Sequence, residues 1–453
     1  MECPPSVGAL PADSPLSRTG APVQSPNTPS KAPDQGESER RPDTTPNPAP
    51  IQRWQPTRKA VALLVMVLGV LTATGPLATD MYLPALPEIA RELGTNEARI
   101  QLTLTAMMLG LAVGQLVIGP LSDAVGRRGP LLVGVAVFTV TSVLCVFVPN
   151  VTVFIGLRFV QGVAGAAGAV IARAVVRDLF KGDDAVRFFS RLALVMMLAP
   201  MLAPLAGAQL LLVGSWQLSF WVLAAMAALS FVLVLLWLPE SLPVEDRRRR
   251  GPRELLSTVG GLLRQPRFVG PVLTLGLSFG MLFTYVSAFS FVSQTEFDAS
   301  PQTYAWLFAI NSVGMMAGTQ TNGLLVGRVE TLRRLGLGLV AALVSVGVLA
   351  VLALTGVAQL WMVVVLLALT MFSVGFIMPN ATVTALDGQP TSVAGTASAL
   401  MGALQFALGG SVASLAGLTE TGEASLVSMS VVMVSVAALS FSAYVWSVRA
   451  KTR

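Results

Sequence analysis

The sequence predicts an all-α polytopic membrane protein with twelve transmembrane helices in two pseudo-symmetric six-helix halves. Three observations carry that prediction. Of 453 residues, 53% are hydrophobic and only 12% are charged, about half the ~25% charged content of a soluble domain. Apolar stretches of about 20 residues, long enough to cross a bilayer, recur twelve times. The basic residues between them fall in alternate loops, as orientation by the positive-inside rule requires.

Residues 1–55 are of a different kind. They hold 12 of the 29 prolines and few apolar side chains, so they cannot bury enough surface to fold. They are expected to form a disordered cytoplasmic tail. No charged, then apolar, then cleavage-site pattern marks them as a signal peptide. The first half, 56–238, then carries spans at 60–84, 100–122, 130–148, 151–174, 188–213 and 217–238. A cytoplasmic linker at 239–267 follows. The second half, 268–447, carries spans at 268–292, 302–326, 334–354, 358–379, 393–418 and 424–447, and 448–453 form a short cytoplasmic tail.

The loop charges set the orientation. With the N-terminus inside, inner loops carry Arg127, Arg128, Arg177, Lys181, Arg187, the run Arg247 to Arg250, Arg264, Arg267, Arg328 and Arg333. Outer loops carry Arg91 and Arg99 against Glu88, Glu92, Glu97, Glu296, Asp298, Glu420 and Glu423. Both termini are therefore expected in the cytoplasm, with an even number of spans. The arginine run is a topology anchor first, since the basic residues are spread over the loops rather than gathered on one nucleic-acid-binding surface. The two cysteines, Cys3 and Cys145, lie in a polar tail and an apolar span, so no disulfide framework is implied. There is no histidine, and proton chemistry near neutral pH must fall to a carboxylate. No G-x-x-x-x-G-K-[ST] loop points to nucleotide use, and no cofactor or metal site is expected.

Charges inside spans are expensive and mark function by default. Two stand well inside: Asp80 in span 1 and Arg158 in span 4. Span 1 ends near Pro84 to Pro87, which places Asp80 roughly 6–10 Å inside its outer end, and Arg158 lies roughly 10 Å along span 4. The two share a depth, so they could face each other across a cavity and tune one another's ionisation. The alternative is that Asp80 caps its span and Arg158 is tied to backbone carbonyls. Gln115, Gln161, Asn311 and Asn380 also lie within spans, where each needs a partner and could either line a cavity or join helices. Tyr82, Phe283 and Tyr285 could stack on a ligand or simply pack. Trp216 and Trp306 read as interfacial belt residues.

Residues 119–128 read Gly119-Pro-Leu-Ser-Asp123-Ala-Val-Gly126-Arg127-Arg128. Glycines permit a tight turn between close helices, and an Asp at a helix end with arginines beyond makes a charge cluster at the water line. This run resembles the loop between spans 2 and 3 of the major facilitator superfamily. A weaker echo, Gly323-Leu-Leu-Val-Gly327-Arg328, occupies the equivalent place in the second half and lacks the Asp. Thr79-Asp80-Met81-Tyr82-Leu83-Pro84-Ala85-Leu86-Pro87 resembles the span 1 signature of the Bcr/CflA drug:proton antiporters. Arg158-Phe-Val-Gln161-Gly-Val-Ala-Gly165 is similar to the span 4 pattern of the superfamily's drug exporters, and Gly375 to Ala381 also resembles the group.

The resemblance implies a major facilitator fold working by alternating access. It implies efflux of amphipathic drugs, phenicol- or bicyclomycin-like, across a bacterial cytoplasmic membrane, with Asp80 and Arg158 in proton coupling and drug binding. It also implies an inner gate made by Gly119, Asp123, Gly126, Arg127 and Arg128 with Arg173, Arg177 and Asp178 of span 4. There Asp123 would pair with Arg173 or Arg177, and Arg127 with Asp178. Of the span 5 antiporter motif, Pro200, Pro204 and Gly207 remain and the first glycine is lost. Thr72 stands where some related exporters carry a second carboxylate, so neutral or weakly charged substrates fit best. Proton-coupled uptake or export of a small metabolite or sugar stays open as the alternative. A membrane enzyme is disfavoured by the isolation of Asp80. A drug substrate, protons and the lipid bilayer are the expected partners. No nucleic acid is expected, and a monomer is, since the cavity would lie within one chain.

Overall fold

The structure is a computed structural model and describes residues 58–247, 252–417 and 422–452. The tail 1–55, Cys3, Arg248 to Arg250, Glu420 and Arg453 lie outside the described residues. Among those described there is no strand, and fourteen α-helices follow one another. In chain order they are α1 Arg58–Asp80, α2 Leu86–Glu92, α3 Glu97–Val125, α4 Arg128–Val146, α5 Val151–Leu179, α6 Gly182–Val213 and α7 Gln217–Trp237. Then come α8 Pro252–Leu263, α9 Pro266–Phe291, α10 Pro301–Leu324, α11 Thr331–Leu354, α12 Leu360–Leu386, α13 Thr391–Ala413 and α14 Leu426–Thr452.

All but α2 and α8 match the twelve expected spans, and α3, α5, α6, α11, α12 and α14 overrun the sequence limits by about one to two turns. Among the described residues, eleven spans are long and apolar enough to cross a membrane. The twelfth, α10, has 24 residues, about 36 Å of helix. It is diluted by Gln302, Asn311, Gln320 and Asn322. Span 1 does not end cleanly. After Asp80 the chain passes through a single 3₁₀ turn, Leu83–Ala85, into α2, because Pro84 and Pro87 lack the N–H groups that would continue α1. The linker holds a 3₁₀ turn at Val244–Asp246 and the short α8, whose Leu262 is buried.

The helices pack as two sets with the same pattern. In the first, α3 and α4 lie on α5, α4 lies on α7, and α1 touches α5, α6 and α7. In the second, α10 and α11 lie on α12, α11 lies on α14, and α9 touches α12, α13 and α14. Each of these contacts of the first set has its counterpart in the second, as internal repeats require. Glycines make the tightest crossing in both. A side chain at Gly110 or Gly162 would strike the α5 or α3 backbone, and one at Gly318 or Gly375 would strike α12 or α10. Lipid supplies no hydrophobic drive for helix association, so such close backbone approach is what holds the pairs.

The sets meet through α3 on α13 and α6 on α10. Hydrogen bonds seal one end of this seam. Ser290 donates to Leu83 O, Gln294 Nε2 to Pro84 O (3.1 Å), and Thr105 Oγ1 to Gly410 O (2.8 Å). Gln302 Nε2 donates to Ala208 O (3.1 Å), and the Ala424 N–H to Glu97 (2.8 Å). All lie toward the Pro84 end of the bundle. At the opposite, Arg127 end, Arg127 pairs with Asp123 and Asp178 inside the first set, and Arg333 pairs with Glu330 inside the second.

Candidate functional site: a buried carboxylate between two helix sets

Asp80 is the last residue of α1 and is 5% exposed. Gly207 of α6 stands against the carbonyl of Met81, the next residue, where any side chain would overlap the oxygen. The surviving glycine of the antiporter motif therefore fixes α6 to the end of α1. Pro204, also buried, and Pro200 lie inside the same unbroken helix.

Arg158 is fully buried on α5. It does not form an ion pair with Asp80: the ion pairs among the described residues all lie elsewhere. Instead Nη2 donates to Ala78 O (2.8 Å), Nη1 donates to Gln161 Oε1, and the guanidinium lies 4.6 Å from the Tyr82 ring centroid. The carbonyl of Ala78 is freed by the end of α1, so the arginine satisfies it and holds the turn that carries Asp80. The two charged groups remain within electrostatic reach of each other. The backbone-tied alternative describes Arg158, and direct pairing does not.

Three of the expected ligand contacts are engaged in packing within one set. Tyr82 shares a 2.9 Å hydrogen bond with Thr103 and packs against Phe154 and Phe220. Gln161 donates to Ser142 (2.7 Å) while accepting from Arg158. Asn380 donates to Asn322 Oδ1 (2.7 Å) and to Phe376 O (2.8 Å), joining α12 to α10. Their hydrogen bonds run to partners within one set, as the packing alternative for these residues has it.

The other four lie elsewhere. Gln115 of α3 sits against Gly402 of α13, across the seam. Phe283 stacks on Phe279 (4.6 Å), whose edge meets Phe406 of α13 (5.2 Å). Asn311 Nδ2 donates to the Tyr285 hydroxyl (2.9 Å), while Asn311 Oδ1 has no partner. Tyr285 stacks on Phe308 (5.6 Å between centroids) and lies within the field of Asp80. The structure therefore gathers Asp80, Tyr285 and Asn311 from both sets around one place. It adds Tyr304, fully buried, within the field of Asp80 and with no partner for its hydroxyl. Tyr304 was legible only as one aromatic beside Trp306.

The tryptophans divide. Trp306 is 62% exposed, as a belt residue should be, but Trp216 is 1% exposed and donates to Glu92 (2.6 Å).

At the Arg127 end, Arg127 Nε donates to Asp178 (3.0 Å) and Nη1 donates to Asp123 and Ser122. Asp123 pairs with Arg127, four residues on, rather than with Arg173 or Arg177. Arg173 turns its Nε to Ala169 O, and Arg177 is exposed. The residue sequence reasoning missed here is Glu240, just beyond α7. Its carboxylate accepts from the backbone N–H groups of Arg127 (2.7 Å), Arg128 (3.2 Å) and Leu242 (3.1 Å). Burial works to raise its pKa, but those three N–H groups and the charge of Arg247 outweigh it and hold it below the usual carboxylate value. Gly126 (φ 106°) sits directly beneath, where a Cβ would meet Glu240 at 2.6 Å. Gly119, by contrast, has only Val170 at an ordinary 3.8 Å. In the second set the matching arginine, Arg334, donates to Asn322 Oδ1 (3.0 Å) and to Val329 O (3.1 Å), while the nearby carboxylate, Glu330, pairs with Arg333 (3.9 Å).

Comparison with known proteins agrees with this architecture. The profile of the Major Facilitator Superfamily matches residues 68–414. An uncharacterized MFS-type transporter of Bacillus subtilis, YdgK, is 38% identical over 81% of this chain and 91% of its own. A bicyclomycin resistance protein homolog of Haemophilus influenzae is 32% identical over 79% of this chain and 89% of its own. Multidrug resistance protein D of Escherichia coli is 30% identical over 80% and 91%. Among solved structures, the nucleoside transporter NupG overlays with a TM-score of 0.69 at 12% identity, over 86% of this chain and 99% of that one. The D-xylose-proton symporter overlays at 0.63 with 15% identity, over 84% and 97%. These two share the fold. The chain belongs to the Major Facilitator Superfamily, and its relatives are those expected of the Bcr/CflA type of drug:proton antiporter.

Proposed function

We propose that the chain exports neutral or weakly charged amphipathic drugs, phenicol- or bicyclomycin-like, across the bacterial cytoplasmic membrane in exchange for protons. The observation that carries the reading is Asp80: a buried carboxylate at the seam of two matching helix sets, with no ion pair and with residues of both sets around it. A carboxyl so placed is suited to holding a proton in one conformation and losing it in another. The names of the relatives support drug export as the cargo class.

Loop charge supports an orientation with the Arg127 end, and both termini, at the cytoplasm. The bundle is then sealed toward the outside, the state that takes drug from within. Residues 56–238 and 268–447 act as the two rocking halves of a monomer, with 239–267 as the tether between them. Asp123, Arg127, Asp178 and Glu240 hold the cytoplasmic end of the first half as one body. The Pro84 end seals across the halves.

The test is drug susceptibility of an exporter-deficient bacterial host carrying the wild type or Asp80→Asn at equal membrane abundance. Protection by the wild type alone supports the reading. Equal protection by both removes Asp80 from the mechanism, and no protection by either turns the assignment toward a metabolite.

A further inference from the structure

A hydrogen-bonding deficit sits beside Asp80. Tyr304 and Asn311 are on α10, seven residues apart and so on the same face. Both are fully buried. The Tyr304 hydroxyl and Asn311 Oδ1 have no partner. The Tyr285 hydroxyl, facing them from α9, is an acceptor for Asn311 Nδ2, which leaves its own O–H to donate. Aromatic faces wall the place: Tyr285 lies on Phe308 and Phe289 (5.6 and 5.4 Å between centroids), and Tyr304 lies on the same two rings (6.0 and 5.8 Å). Buried polar atoms are normally paired, and each unpaired one costs about 1–3 kcal/mol. Two helices, α9 and α10, contribute to this locus, and two separate side chains carry the deficit.

The chemistry left open is specific. The Tyr285 O–H and the Asn311 carbonyl stand side by side as one donor and one acceptor. An amide complements such a pair, its C=O accepting from the phenol and its N–H donating to the carbonyl. The Tyr304 O–H offers a second donor, for a further acceptor on the same molecule. The nearby cation, Arg158, commits both terminal nitrogens to Ala78 O and Gln161 and keeps only its Nε unpaired. We propose that Tyr285, Asn311 and Tyr304 form the polar subsite of the transport path and select uncharged aromatic molecules that carry an amide and a second hydrogen-bond acceptor. The proposal rests on the export reading and names the substrate class of that same site. In the conformation described, the subsite lies buried beneath the seal at the Pro84 end of the seam.

The experiment measures equilibrium binding to the full chain in lipid nanodiscs. The probes are chloramphenicol and its analogue with an ester in place of the amide. The ester keeps the carbonyl and loses only the N–H. The wild type is expected to prefer the amide by about tenfold, the worth of one neutral hydrogen bond. Asn311→Leu is expected to abolish that preference while leaving ester affinity within about twofold, so retained ester binding reports an intact fold. Tyr304→Phe is expected to weaken both probes alike, by about five- to tenfold. If Asn311→Leu weakens both probes equally, the cluster is a packing or water-holding element and the subsite is overturned. If neither variant changes either affinity, the subsite fails while export stands. If the wild type binds neither probe, the proposal fails, and susceptibility of the host decides separately whether the export reading falls with it.

Discussion

Gly207 of α6 lies against the carbonyl oxygen of Met81, the residue that follows Asp80, with no room for a Cβ between them. The contact ties the span 5 motif to the one span 1 carboxylate. Backbone cannot yield as a flexible side chain can, so Gly207→Ala must push α6 away. It is expected to destabilise the fold by about 1–3 kcal/mol and to abolish drug protection. Thermal unfolding in detergent, alongside susceptibility of the host, checks both parts.

The glycine crossings give a matched pair of predictions. Gly162→Val in the first set and Gly375→Val in the second both aim side chains at backbone atoms. Each should lower the unfolding midpoint by a similar amount, because the two crossings are copies of one geometry. Gly119→Ala, which meets only Val170 at 3.8 Å, should leave it unchanged.

Arg158 holds the Ala78 carbonyl and the Gln161 amide oxygen. Arg158→Leu leaves both buried acceptors without donors, a loss of about 2–3 kcal/mol. Arg158→Lys keeps the charge but not the fork of donors, so it is expected to recover abundance without recovering transport. Immunoblots of membranes beside drug accumulation separate the two effects.

Glu240 predicts a pH dependence. Its folded pKa lies below the ordinary carboxylate value of 4.5. The stability it supplies is therefore fully present above about pH 4.5 and is lost as pH falls through the depressed value. The gap in unfolding midpoint between the wild type and Glu240→Gln should be constant from about pH 6 to 8 and should close in stronger acid. A gap that widens on acidification contradicts the assignment.

Much of the fold was legible because its signals are local. Span length and the Gly119–Arg128 run each depend on neighbouring residues, and both survive in the structure, as helices and as one charged turn. Asp80 and Arg158 were legible because a charge inside an apolar stretch stands out. Their relationship was not, since a guanidinium finds a free backbone carbonyl as readily as a carboxylate, and no spacing rule separates the two. Glu240 was hidden because it acts on a turn more than a hundred residues away. Tyr304 was hidden because a buried phenol and a belt aromatic look alike in sequence. Trp216 was misplaced for the same reason: only its contact with Glu92 across the helix ends shows that it faces inward.

The central claim is that Asp80 exchanges a proton for drug. The most direct measurement uses proteoliposomes holding the purified chain, an imposed pH gradient and chloramphenicol, with drug and proton movement followed together. The account predicts that the gradient drives wild-type drug movement opposite to the proton, and that Asp80→Asn still binds drug but neither moves protons nor accumulates drug against a gradient. Drug accumulation by Asp80→Asn at the wild-type rate, or drug moving in the same direction as the proton, would contradict it.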